Sequence, residues 1–345
     1  WLARTHTSSF VTGNVMSPSV SVAVIGVGVV GARVARQLTS SGMSVLLHDE
    51  RRDAQASLAR SIRASELADL AKLDPATTPI VVIATSSPQA PLAKLLLELG
   101  HHVVCTSDDV EDTRELLELN DTARLEKRIL VVGATACPGL SGLLIAELTP
   151  RVDTIDEIHV AFHGTGGPGC ARQHHRALAG DAIGWHDGEW IDRPGGSGRE
   201  LLWFPEPLGG KDCYRAELPE PLLLHRSFPD VSRISARMSA TRRDRLTARL
   251  PMMSPPHAEG GVGGVRVEIR GSLNGERCTE VAGVAERTGI IAGAVAASVA
   301  MKLLEVTDSI SGVVTLGDGR LNDRALLDDV IRRGITVFEY IGSGA

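Results

Sequence analysis

"VAVIGVGVVGARVARQL", residues 22–38, decides how the rest of the chain is read. A β-branched run ends at Gly26, Gly28 and Gly31 complete a GxGxxG spacing, and apolar residues then recur at helical intervals. In a strand–turn–helix of this kind the first glycine permits the tight turn. The second lets backbone amides approach a pyrophosphate, and the third lets the helix pack on the strand. The amides of Val27, Val29 and Val30, together with the partial positive charge of the helix start, make an anion site. A glycine-rich turn without a ligand is the competing reading. Context weighs against it, because Asp49 stands 18 residues after Gly31, closing a second strand, "SVLLHD" (44–49).

Working outward, "PIVVIAT" (79–85), "HHVVCTS" (101–107) and "RILVVGA" (128–134) read as further strands separated by helical patterns. No third strand can be placed within "SELADLAKL" (65–73). Strands alternating with helices imply βαβ units and a doubly wound parallel sheet, a Rossmann domain over residues 16–150. The pattern changes after Pro150. "TIDEIHVAFHG" (154–164) alternates like a strand, residues 164–212 show little periodicity, and "GGVRVEIRGSLNGERCTEVAGVAER" (263–287) is a hairpin turning at Asn274-Gly275. Residues 151–345 are therefore expected to form an α+β domain with a mainly antiparallel sheet. The small-residue helix near 288–305 is expected to pack back on the first domain. Residues 1–15 are set aside as a leader or tag-like extension.

A chain of 345 residues with 43% hydrophobic and 23% charged residues suits two soluble domains. Its net charge of -6 argues against a nucleic-acid partner, which usually needs a basic face. The apolar stretch "GIIAGAVAASVAM" (289–301) is too short for a membrane span. The cysteine count is odd, five without CxxC spacing, which fits free thiols in a reducing, cytoplasmic compartment.

Asp49 is placed to accept hydrogen bonds from the adenosine ribose hydroxyls, which favours NAD, whereas Arg51 would clamp the extra phosphate of NADP. The reading leans to NAD. Thr85, Ser86, Thr106, Gly133 and Ala134 fall at the carboxyl ends of strands, where ligands of such sheets bind. "ATACPGLSGLL" (134–144) is a second open turn, read as starting a helix near Pro138. Cys137, Pro138, Gly139 and Leu140 are then candidates to hold a substrate carboxylate or the nicotinamide amide. A plain strand-to-helix connection is the alternative. In "HGTGGPGCARQHHRALAGDAIGW" (163–185), His174 and His175 are candidate proton shuttles and Arg172 a candidate carboxylate anchor. No metal site is expected, since no Cys or carboxylate is read at ligand spacing from these histidines.

The glycine turn, the acid closing the second strand and "CPGLSGLLIAEL" (137–148) resemble the saccharopine dehydrogenase-like oxidoreductases, which include lysine 6-dehydrogenase and carboxynorspermidine dehydrogenase. "WFPEPLGGKDCYRAELPEPLLL" (203–224) is similar to that family's second-domain segment and brings in Glu206 as a substrate candidate and Tyr214 as a catalytic one. The resemblance implies a Rossmann domain, a homodimer formed through the second sheet, and hydride transfer at the C–N bond of an amino acid or imine. Three rival readings stand beside it. A semialdehyde-type enzyme would use Cys137 as a nucleophile. A sugar or polyol dehydrogenase would carry Glu-Lys-Pro after the fifth strand, where this chain has "CTSDDVED" (105–112). A non-catalytic dinucleotide sensor would need only the glycine turn.

Overall fold

Short β-branched runs that alternate with helices have one stable arrangement, a sheet covered on both faces. The computed structural model describes residues 20–253, 255–306 and 310–340, so the extension at 1–15 lies outside the described residues. The first part runs β1 (Ser21–Ile25), α1 (Val29–Ser40), β2 (Ser44–His48), α2 (Arg52–Ile62), β3 (Ser65–Glu66), β4 (Ile80–Ile83), α3 (Ala90–Glu98), β5 (His102–Cys105), α4 (Val110–Glu118), α5 (Asn120–Leu125), β6 (Ile129–Val132) and α6 (Leu140–Leu148). Every residue of β1, β4 and β6 is buried, as expected of parallel strands enclosed by helices. The third strand is only the two-residue β3, too short to leave a pattern in the sequence.

The second part runs β7 (Thr154–His163), α7 (Pro168–Ala177), β8 (Asp181–His186), β9 (Glu189–Pro194), β10 (Glu200–Phe204), β11 (Gly209–Arg215), α8 (Glu220–Ser227), β12 (Arg233–Ser239), α9 (Arg242–Thr247), β13 (Val262–Leu273), β14 (Glu276–Arg287), α10 (Thr288–Leu303), β15 (Gly312–Thr315), α11 (Asp323–Arg332) and β16 (Val337–Glu339). The hairpin β13–β14 turns at Asn274 and Gly275, whose φ values of 53° and 80° are the paired positive angles of a two-residue turn.

Two sheets result. The first is parallel, in the order β15-β6-β5-β4-β1-β2-β3. The second has nine strands, with the main path β10-β11-β12-β7-β13-β14-β16, and is antiparallel except for the β7–β12 pair. The chain is thus α/β, a Rossmann-type parallel sheet joined to a mixed-sheet α+β part. The strand order reverses between β4 and β2 around β1, the switch point at which such sheets bind ligands.

The last third of the chain returns to the first sheet. β15 pairs with β6, and α10 lies against α1. Small residues allow that approach: a Cβ at Gly289 would stand 2.8 Å from Val29, and one at Gly293 would stand 2.5 Å from Arg33. Arg333, just past α11, donates to Ser298 on α10 (3.0 Å) and to Ser41 after α1 (3.1 Å), pinning the three helices together.

Candidate active site

The glycine turn forms because β1 must leave the sheet and enter α1 within three residues. Gly26 takes a φ of +95°, and its amide bonds to the His48 carbonyl at 2.8 Å. A Cβ at Gly31 would stand 1.8 Å from the Gly26 carbonyl oxygen, so that glycine is dictated by the fold itself. Gly28 differs: a Cβ there meets nothing within 4 Å. It is the N-cap of α1, and no side chain caps the helix. The uncapped turn and the open space before it are what an anion needs.

Asp49 closes β2 and is 9% exposed. Its carboxylate accepts from the Val27 amide at 2.7 Å and the Arg51 amide at 2.8 Å, and the Arg51 guanidinium bonds both oxygens at 3.1 and 3.2 Å. Burial opposes ionisation here, but the Arg51 side chain and the two amides outweigh it and hold the carboxyl below its usual range. Asp49 therefore also holds the glycine turn in place.

These groups open into a cleft of about 860 Å³ between the two parts of the chain. Gly26, Gly28, Val29, Val30, Asp49, Arg51, Thr85, Ser86 and Thr106 all line it. Val27 contributes its amide to Asp49, and Gly31 is buried beneath the turn. The opposite wall is the loop into α7. There Gly166 and Gly167 press on the glycine turn: a Cβ at Gly167 would stand 2.6 Å from Val29 Cγ2, and one at Gly166 would stand 3.4 Å from Val30.

The second turn differs from its sequence reading. Only Thr135, Ala136 and Cys137 face the cleft. Gly133, Ala134, Pro138, Gly139 and Leu140 are buried and do not line it. Gly139, at φ +124°, folds the turn back on itself, and Thr135 donates its amide (3.0 Å) and hydroxyl (2.8 Å) to the Pro138 carbonyl. The helix starts at Leu140, after Pro138 has been used in that loop. Burial first, then the nearby Glu220 carboxylate, push the Cys137 thiol well up, which withdraws support from the semialdehyde reading.

Arg172 lines the cleft, and so does Arg176 of the same stretch. His175 does not: it faces another hollow and bonds the Leu250 carbonyl at 2.8 Å. Tyr214 is buried under the Arg245 guanidinium, 4.3 Å from its ring centre, and is absent from the cleft wall. Glu206 sits exposed in the turn between β10 and β11. The "PEP" segment is thus a strand connector.

His174 does not line the cleft either: it is buried on the side of the hollow that His175 faces, with Nε2 3.4 Å from Asp108 Oδ2 and 3.5 Å from Cys170 Sγ. Burial works against its charge, but the Cys170 sulfur and the Asp108 carboxylate outweigh it and push the imidazole pKa well above the ordinary value. The expectation that no Cys or carboxylate stands at ligand spacing does not hold. Cys170 and His174 are one helical turn apart on α7, and Asp108 meets them from the loop after β5. The Cys-x-x-x-His spacing was visible in the sequence; the turn of helix carrying it was obscured by Gly167, Pro168 and Gly169.

Fold and cleft together define a Rossmann-type domain joined to a mixed-sheet α+β part, with the glycine turn opening into the cleft between them. Residues 21–95 match the family described as 3-hydroxyacyl-CoA dehydrogenase, NAD binding domain. No curated protein matches the sequence. Among solved structures, the chain has the fold of the apo saccharopine dehydrogenase (L-Glu forming) from Saccharomyces cerevisiae, with a TM-score of 0.67 and 12% identity over 93% of this chain and 100% of that one. It is also similar to C. glutamicum DAP dehydrogenase in complex with DAP (TM-score 0.53, 14% identity, 92% and 100% covered). An engineered D-amino acid dehydrogenase bound to NADP+ is similar at a TM-score of 0.52 and 15% identity, with 92% and 99% covered.

Proposed function

We propose that the protein is an NAD(P)-dependent oxidoreductase that moves hydride at a C–N bond of an amino acid or imine. One observation carries the reading: the open glycine cradle and the guanidinium groups of Arg172 and Arg176 line the same cleft. The proteins of similar fold named above for saccharopine, DAP and D-amino acids support the substrate class.

A nicotinamide nucleotide, when bound, supplies the hydride acceptor or donor. The residues of the chain do the remaining work. The uncapped start of α1 holds the diphosphate, and Gly28 leaves it room. Asp49 orders the glycine turn through Val27 and sets a negative charge where a 2′-phosphate would lie, which favours NAD. The Gly166–Gly167 loop covers Val29 and Val30 and keeps water from that side. Arg172 takes the substrate carboxylate as a two-toothed grip. In the oxidative direction the carbon gives up a hydride and the nitrogen a proton, leaving an imine and a reduced nucleotide. The site is read in this way as residues 16–150 presenting the nucleotide to residues 151–345, in a homodimer formed through the second sheet. The five cysteines are free, which supports a reducing, cytoplasmic setting; among the described residues no helix is long and apolar enough to cross a membrane.

The test is turnover: the purified chain is given NAD+ or NADP+ with a panel of amino acids and amines, and reduced nucleotide is followed by its absorbance. Oxidation of at least one amino acid is expected. Turnover on polyols alone would overturn the C–N assignment.

A further inference from the structure

A sulfur and a carboxylate crowd one imidazole. His174 Nε2 lies 3.5 Å from Cys170 Sγ and 3.4 Å from Asp108 Oδ2, and the same sulfur stands 3.9 Å from Nδ1. Three donor atoms around one point fit a metal ion. For a tetrahedral ion with a sulfur at about 2.3 Å and nitrogen and oxygen at about 2.0–2.1 Å, sulfur and nitrogen stand about 3.5 Å apart, and nitrogen and oxygen about 3.3 Å. The two separations from Nε2 match, and all three atoms lie within 4.8 Å of one another.

We propose that Asp108, Cys170 and His174 bind one zinc-class divalent cation whose open fourth position faces the cleft and takes the nitrogen of the substrate. Cys170 and Asp108 line the cleft while His174 stands buried behind them, so the ion sits in the wall with one side free. The scaffold is rigid where it must be. α7 fixes Cys170 and His174, and Asp109, next to Asp108, caps α4 through the Asp112 amide (3.0 Å) and accepts from Gln173 of α7 (2.7 Å). A thiolate, an imidazole and a carboxylate select zinc-class ions over magnesium or calcium. Three protein ligands with one open position form a catalytic arrangement, whereas a structural site is closed by four. The binding of the ion stands on this geometry alone; its contact with a substrate nitrogen rests on the oxidoreductase reading.

The experiment uses the full chain, stripped with a chelator and titrated with Zn2+ against a chromophoric competitor. One ion per chain is expected, with affinity falling at least 100-fold in Cys170→Ser and His174→Gln. Circular dichroism of the metal-free variants checks that they fold. Cobalt substitution of the unmutated chain reads the donor set without any replacement: intense tetrahedral bands and a thiolate-to-cobalt absorption are expected. Absence of competitive Zn2+ binding, an octahedral cobalt spectrum, or unchanged affinity in folded Cys170→Ser would overturn the site. NADH titration of the same wild-type sample separates the two readings. Nucleotide binding without zinc sinks only the metal site, and zinc without nucleotide sinks only the oxidoreductase.

Discussion

Replacing Gly28 with valine separates cofactor binding from folding. Gly28 has φ -66° and ψ -168°, an extended conformation open to any residue, and a Cβ there meets no atom within 4 Å. The metal-free, nucleotide-free protein should therefore lose no more than about 1 kcal/mol, since valine is a poorer N-cap than glycine but meets no clash. Binding should respond differently, because the side chain fills the space before the first turn of α1. A diphosphate displaced from two amides loses two hydrogen bonds to a charged group, each worth about 1.5–3 kcal/mol. The loss of about 3–6 kcal/mol weakens affinity on the order of 10² to 10⁴-fold. Calorimetric titration with NADH, paired with a thermal melt of each protein, reads both quantities. A folded Gly28→Val chain with undiminished affinity would refute the phosphate role, and a collapsed melting temperature would refute the open cradle.

Gly31→Ala should do the reverse. Its Cβ would fall 1.8 Å from the Gly26 oxygen, so a loss of about 3 kcal/mol is expected in the melt of the unliganded chain, near the top of the range for overpacking. Asp49→Ala removes the acceptor of the Val27 amide and should weaken NADH about tenfold or more, NADPH less; an unchanged ratio would place ribose recognition elsewhere. Arg172→Met should raise KM for a carboxylate substrate about 10–100-fold with NADH affinity unmoved, whereas untouched kinetics would leave this arginine on the surface. Glu268 bonds Arg266 and Arg270 at 2.6 Å each; burial opposes its charge, but these two arginines hold its carboxyl below the usual value. Its contribution is complete above the ordinary glutamate range and fades as pH falls through the depressed value. Glu268→Gln should thus cost about 2 kcal/mol at pH 7, less than a fully buried pair because Arg270 is half exposed, and the difference from wild type should shrink in acid.

What the sequence disclosed was local. The GxGxxG turn, Asp49 and the Asn274-Gly275 hairpin each write their geometry into a few neighbouring residues, and each is found where the spacing put it. Elements defined by distant partners left no such trace. β15 reads as one more apolar run, and only its pairing with β6 places it in the first sheet. α7 opens on Gly167, Pro168 and Gly169, which mask the helical period behind them. Tyr214 and Glu206 were placed by likeness of segment, and packing sends one into the core and the other to an exposed turn. Asp108 joins Cys170 only because β5 and α7 end against the same cleft, a juxtaposition 62 positions apart in the chain.

The central claim is that the glycine-bared start of α1 grips a nicotinamide dinucleotide. Isothermal titration of the intact chain with NADH and NADPH tests it most directly. A single saturable site per chain is expected, tighter for NADH, and absent from the folded Gly28→Val chain. No heat of binding from either nucleotide at millimolar concentration would contradict the account.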